Sequence, residues 1–233
     1  MTQPRALVTG ASSGIGLAVV QRLLSAGWSV QGIDLQAAAV THSAYEHRRA
    51  DLATRQACVQ IARDVLQQHA PQALIHAAGI LRSGSLGHLD AEQGEQMWAV
   101  HVQAATQLAN QFIPAMMQQG PGSVVLIGSR VSQGMAGRSQ YAATKAALVA
   151  LAKSWAAEAI AAGITINVVS PAATDTPMLR DPQRQSSSPR TPPLGRFIQP
   201  QEVAALVAFL LSDEARAITG QDIAVCGGAS VRP

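Results

Sequence analysis

Aromatic residues are scarce in this chain, at 3% of 233 residues. Ala, Val, Leu and Ile must therefore fill any core, which suits helices packed closely on a parallel sheet. There are only two cysteines, Cys58 and Cys226, far apart and in no metal-ligand spacing. That argues for two free thiols over a disulfide framework or a metal site, and no metal is expected. No apolar run approaches the ~18 uninterrupted residues of a membrane span. The first residues, MTQPRALVTG, lack a charged stretch followed by a long apolar one. No signal peptide is expected, and the cytoplasm is the default location. Charge is also sparse, at 13%, with a net +3. The basic residues are scattered, with no run beyond Arg48-Arg49 and no interleaved aromatics, which argues against nucleic acid as a partner. The slight basic excess suits an anionic substrate or a cofactor phosphate.

What is present alternates. Short apolar strands are expected at 5–9, 28–34, 74–78, 123–129, 165–170 and 222–227. Helices are expected at 14–26, 54–69, 90–119 (mostly helical), 139–162 and 200–212. Strand–helix alternation over this length predicts one α/β domain: a doubly wound parallel sheet, Rossmann-type, with helices on both faces. Ligands of such sheets bind at the carboxyl ends of the strands. One stretch breaks the pattern. Residues 179–198 are rich in Ser, Pro and Arg, a composition that packs poorly. Because it follows a strand end, it is read as a mobile lid over the substrate site, with a disordered surface insert as the other reading.

The segment TGASSGIG, residues 9–16, lies between a strand and a helix. Gly10 permits the tight turn, Gly14 lets backbone approach a pyrophosphate, and Gly16 allows close helix–strand packing, so that helix amides face the phosphates. The loop residues Ser12, Ser13 and Ile15 belong to the same candidate site. Asp34 ends the second expected strand, 18 residues after Gly16. A carboxylate there accepts hydrogen bonds from an adenosine ribose and repels a 2′-phosphate, so NAD is the expected cofactor. Leu35 follows it. Asp51-Leu52 is a candidate contact for the adenine ring, and an N-cap role for the next helix is the alternative for Asp51.

A second constellation is Ser129, Tyr141 and Lys145. Tyr141 and Lys145, four apart in YAATK, share one helix face, and Ser129 ends a strand. A phenol with an ordinary pKa of about 10 is a poor acid–base group, but a nearby ammonium favours the phenolate. Such a tyrosine can exchange a proton with an alcohol or carbonyl while hydride moves to a nicotinamide. Lys145 can also hold the nicotinamide ribose, and Ser129 the substrate oxygen.

TGxxxGIG followed by YxxxK resembles the short-chain dehydrogenase/reductase family, over nearly the whole chain. HAAG at 76–79 resembles the family's NNAG segment and implies that Ala77, Ala78 and Gly79 line the cofactor cavity. PAATDT at 171–176 resembles its PGxxxT segment, which implies Pro171, Ala172, Thr174 and Thr176 near the nicotinamide carboxamide. The resemblance also implies a homotetramer built partly through the two long helices. AAGILRSG, NVVSPAATDTPM and ITGQDIAV are similar to segments of the family's 2,3-dihydro-2,3-dihydroxybenzoate dehydrogenases of catechol-siderophore synthesis. That implies NAD-dependent oxidation of a cyclic diol carboxylate, with Arg82, Arg130 and Arg138, in that order, as candidate carboxylate partners. A 3-oxoacyl thioester or small-ketone reductase and a non-catalytic nucleotide-binding scaffold are the alternatives.

Four positions depart from the family. His101 stands where a relay asparagine is usual and is a candidate relay residue itself. His76 also replaces an asparagine, and Ala172 a glycine. Ser129 lies twelve residues before Tyr141, one fewer than in many relatives, with Gly128 at the thirteen-residue spacing and Ser132 as the reserve candidate.

Overall fold

Strands buried on both faces read as continuous apolar runs rather than alternating ones, and the runs ALIH, GSVVLI and ITINVVSP are buried at every position. The computed structural model describes residues 3–181 and 189–231. Its strands are β1 (Arg5–Thr9), β2 (Ser29–Asp34), β3 (Tyr45–Arg49), β4 (Ala73–His76), β5 (Gly122–Ile127), β6 (Ile164–Pro171) and β7 (Asp222–Val225). Its α-helices are α1 (Gly14–Ser25), α2 (Arg55–Gln68), α3 (Ala91–Trp98), α4 (Ala104–Gln119), α5 (Ser139–Ala159) and α6 (Pro200–Leu210). One turn of π-helix, Ala99–Gln103, joins α3 to α4.

The strands form one seven-stranded sheet in the order β3-β2-β1-β4-β5-β6-β7, every pair parallel. Alternate residues on each strand feed opposite layers. Leu7, Leu74, Val124, Leu126 and Val168 pack under α2, α4 and α5, while Ala6, Val8, Ile75, Val125 and Val169 pack under α1 and α6. This is the doubly wound architecture expected from the alternation. Among the described residues no helix is long and apolar enough to cross a membrane.

The edge strand β3 was not expected. Its sequence, YEHRR, is half-exposed along its length and carries no apolar alternation; its pairing with β2 rests on main-chain hydrogen bonds. The order of strand succession reverses between β1 and β4, and the crevice at such a switch point is where ligands bind.

Candidate active site

At the carboxyl end of β1 the chain turns through Gly10, at φ +65°. A Cβ there would stand 2.8 Å from the Ala77 carbonyl oxygen, so only glycine lets the loop lie against the end of β4. A Cβ at Gly16 would land on the Gly10 carbonyl. Helix α1 then starts with Ser13 as its N-cap, with no side-chain cap bond and no acidic residue in the first turn. Its amides and positive pole are therefore not neutralised by the chain itself, and they face a cavity lined by Gly10, Ser13, Gly14, Ile15 and Gly16. Ser12, in contrast, does not line the cavity. Its N–H donates to Asp34 Oδ2 at 2.9 Å, and its buried hydroxyl has no hydrogen-bond partner among the described residues.

Asp34 closes this end. Its Oδ1 accepts from the Gln36 N–H at 2.9 Å, and Asp34, Leu35, Asp51 and Leu52 all line the same cavity. The N-cap role offered to Asp51 falls to Thr54, whose hydroxyl accepts from Ala57 N–H; Asp51 caps only the preceding turn through Ala53 N–H. Ala77, Ala78, Gly79, Pro171, Ala172, Thr174 and Thr176 line the middle of the cavity.

At the other end Ser129, Tyr141 and Lys145 come together in the same lining. Lys145 is buried, donates to the Ile127 carbonyl at 2.9 Å and sits 5.8 Å from the centre of the Tyr141 ring. Burial pushes its ammonium down to about 7. Packing distinguishes the candidate serine positions. Gly128 and Ser129 both line the cavity, but a Cβ on Gly128 would stand 2.5 Å from Val168 Cγ1 and 2.6 Å from Ser170 Oγ, so a side chain at 128 would run into β6. Ser132 is absent from the lining; Ser129, the N-cap of a 3-10 turn whose Oγ accepts from Val131 N–H, is present.

The two unusual histidines lie behind this end. His76 Nε2 is 3.1 Å from the Val100 carbonyl, which can only accept, so Nε2 carries the proton. Nδ1, 3.0 Å from Thr9 Oγ1, therefore accepts from that hydroxyl, which in turn accepts from Ala77 and Ala78 N–H. Burial, and Lys145 nearby, push His76 down to about 4. His101 is fully buried and does not line the cavity. It sits behind Gly79, where a Cβ would approach its Nε2 to 3.0 Å. Burial first, then the charge of Lys145, holds its ring well below the usual histidine range, and neutral.

The candidate arginines separate. Arg130 and Arg138 line the chemical end of the cavity. Arg82 does not: its Nη1 turns to the Leu81 carbonyl at 3.0 Å and to Asp181 at 3.4 Å. Sequence reasoning missed Met135 and Met178, which pack near Tyr141, and Arg190; all three line the cavity. The Arg-rich composition of 179–198 was the one signal for Arg190. Of that segment, 182–188 lies outside the described residues, so the lid reading is addressed only by its flanks. Leu179 and Pro189–Pro193 form cavity wall, pinned by the Leu194 N–H donating to the Gly227 carbonyl at 3.0 Å.

A single cavity of about 880 Å³ thus runs from Asp34 to Tyr141. The family profile described as enoyl-(acyl carrier protein) reductase matches residues 10–230. The chain belongs to the short-chain dehydrogenase/reductase family. It is 36% identical to the 2,3-dihydro-2,3-dihydroxybenzoate dehydrogenase of Escherichia coli K12 and 35% identical to the 3-oxoacyl-(acyl-carrier-protein) reductase of Salmonella typhimurium LT2, over 96% of both chains in each case. Among solved structures it is similar to the ligand-free aldohexose dehydrogenase of Thermoplasma acidophilum (TM-score 0.90, 27% identity, 99% of this chain and 95% of that one). It is also similar to the 3-ketoacyl-(acyl-carrier-protein) reductase of Brucella melitensis complexed with NADH (TM-score 0.88, 25% identity, 98% of both chains). As a short-chain dehydrogenase/reductase the chain is an oxidoreductase that uses a nicotinamide cofactor. Its residues fit that group. A glycine loop at positive φ lies against the start of an uncapped helix, and the lining runs unbroken from there to the buried lysine.

Proposed function

We propose that this short-chain dehydrogenase/reductase uses NAD to oxidise a cyclic diol that carries a carboxylate, specifically 2,3-dihydro-2,3-dihydroxybenzoate to 2,3-dihydroxybenzoate. The observation that carries the reading is the polarity of this cavity. A carboxylate, Asp34, stands at one end, cations, Arg130 and Arg138, lie beside Ser129 and Tyr141 at the other, and Arg190 belongs to the same lining. Asp34 favours a ribose bearing free hydroxyls over one bearing a 2′-phosphate. The arginines suit a substrate carboxylate, whose planar oxygens match a guanidinium.

The nicotinamide, when bound, supplies the hydride acceptor. The chain's own residues manage the proton and the orientation. Ser129 holds the reacting hydroxyl by hydrogen bond. Tyr141 takes its proton at Oη as the carbon gives up hydride, leaving a ketone that enolises to the aromatic diol. Lys145, as ammonium, stabilises the phenolate form of Tyr141 and binds the ribose beside it. Proton transfer of this kind is worth about 10²–10⁴ in rate.

The test compares kcat/KM for the diol acid with NAD against that for a 3-oxoacyl thioester with NADH and NADPH. A preference for the diol acid with NAD supports the reading. A preference for the thioester replaces it with the reductase reading, which the equally similar Salmonella relative favours.

A further inference from the structure

Behind the cavity a chain of buried polar groups links the loop after β4, the π-turn and α5. The Ile80 N–H, on the loop after β4, donates to His101 Nε2 at 3.0 Å. A backbone N–H can only donate, so Nε2 is the acceptor nitrogen, and in a neutral ring the proton must sit on Nδ1. Nδ1 lies 2.8 Å from Thr144 Oγ1 and so donates to it. The Thr144 hydroxyl, with its own proton still to place, donates to the Tyr141 carbonyl at 2.8 Å. Every donor and acceptor in the series is used once and in one direction. The imidazole also meets the Tyr141 ring edge to face, with centroids 5.6 Å apart at 84°.

This arrangement leaves His101 no route to pass a proton. Both of its nitrogens are occupied by groups that do not titrate, its ring is fully buried, and it does not reach the cavity. The π-turn that carries it is fastened separately, by His76 donating to the Val100 carbonyl. The charged or titratable groups facing the ring are Lys145, His76 and Tyr141.

We infer that His101 and Thr144 are positioning residues: one directional hydrogen-bond chain, anchored at Ile80, sets the height and tilt of Tyr141 relative to the loop that walls the cavity. The inference rests on the reading of Tyr141 as the proton-transferring group. Removing the Thr144 hydroxyl without changing the side chain's shape cuts the chain while leaving every cavity-lining residue unsubstituted.

The experiment measures kcat, KM, the NADH dissociation constant and thermal unfolding for wild type, Thr144→Val, Thr144→Ser, His101→Phe and the His101→Phe/Thr144→Val double variant, with Tyr141→Phe as control. A small displacement of an acid–base group costs at least about tenfold in rate. Thr144→Val is expected to lose that in kcat, with KM and NADH affinity changed by no more than about twofold. Thr144→Ser, which restores the hydroxyl, keeps most of the wild-type kcat. The double variant is no slower than the slower single, because both substitutions cut one chain. If His101→Phe does not fold, the Val/Ser pair at 144 decides. Wild-type kcat in Thr144→Val, equal losses in Thr144→Val and Thr144→Ser, or multiplicative losses in the double variant would overturn the inference. Should Tyr141→Phe run at full rate, the proton-transfer reading falls with it; an inactive Tyr141→Phe beside a fully active Thr144→Val removes the positioning inference alone.

Discussion

The Ser12 N–H donates to Asp34 Oδ2 at 2.9 Å, across the gap between the glycine loop and the end of β2. That bond fixes the carboxylate at the end of the cavity proposed to hold the adenosine. Asp34→Ser is expected to lower kcat/KM for NAD by about ten- to a hundredfold, the worth of a hydrogen bond to a charged group. Because the repelling charge is gone, NADP should suffer less or gain. Initial rates with the two cofactors read the ratio directly.

His76 gives a pH dependence of stability with a definite sign. Its folded value, about 4, lies below the ordinary 6.5. The unfolded chain therefore binds a proton at that ring before the folded one does. Its contribution is complete above pH 6.5 and drains away as the pH falls to about 4, by about 3 kcal/mol in all. Urea unfolding of His76→Asn should show a flatter decline across this window than wild type. His101 is lowered in the same direction and retains part of the slope.

Gly10 combines a positive φ with a contact that leaves no room for a methyl group. Gly10→Ala is expected to cost about 1–3 kcal/mol in stability through backbone strain. The loop should also lift from the Ala77 carbonyl, weakening NADH binding more than any substitution at Ser12. Fluorescence titration with NADH and thermal unfolding check both effects.

The arginines should behave unequally. Arg138 is buried in the cavity wall, whereas Arg82 is bound to Asp181 and Leu81 outside it. Arg138→Ala is expected to raise KM for an anionic substrate by about ten- to a hundredfold, while Arg82→Ala, which loses a partly buried ion pair outside the cavity lining, changes it little. Steady-state kinetics on the two variants, side by side, checks the ordering.

Much of this was legible in the sequence because it is local. The glycine loop, the strand-end aspartate and the YAATK helix face each announce themselves within a few residues, and the buried strands are plain apolar runs. The edge strand β3 was not, since YEHRR buries one side poorly and is held by main-chain bonds. The direction of Arg82 was not, because its partner Asp181 is 99 residues away. The exchange of the usual asparagines for His76 and His101 was visible, but its meaning was not. It depends on Thr9 and Thr144, two unremarked hydroxyls that only the folded packing brings within 3.0 Å and 2.8 Å of the rings.

The most direct test of the central claim is the rate of NADH formation from NAD and 2,3-dihydro-2,3-dihydroxybenzoate by wild type and by Tyr141→Phe, with NADH binding measured on both. The account predicts rapid formation of NADH and 2,3-dihydroxybenzoate by the wild type, and a loss of about 10²–10⁴ in the variant at unchanged NADH affinity. Equal rates in the two proteins, or no reaction in a wild type that binds NADH, would contradict it.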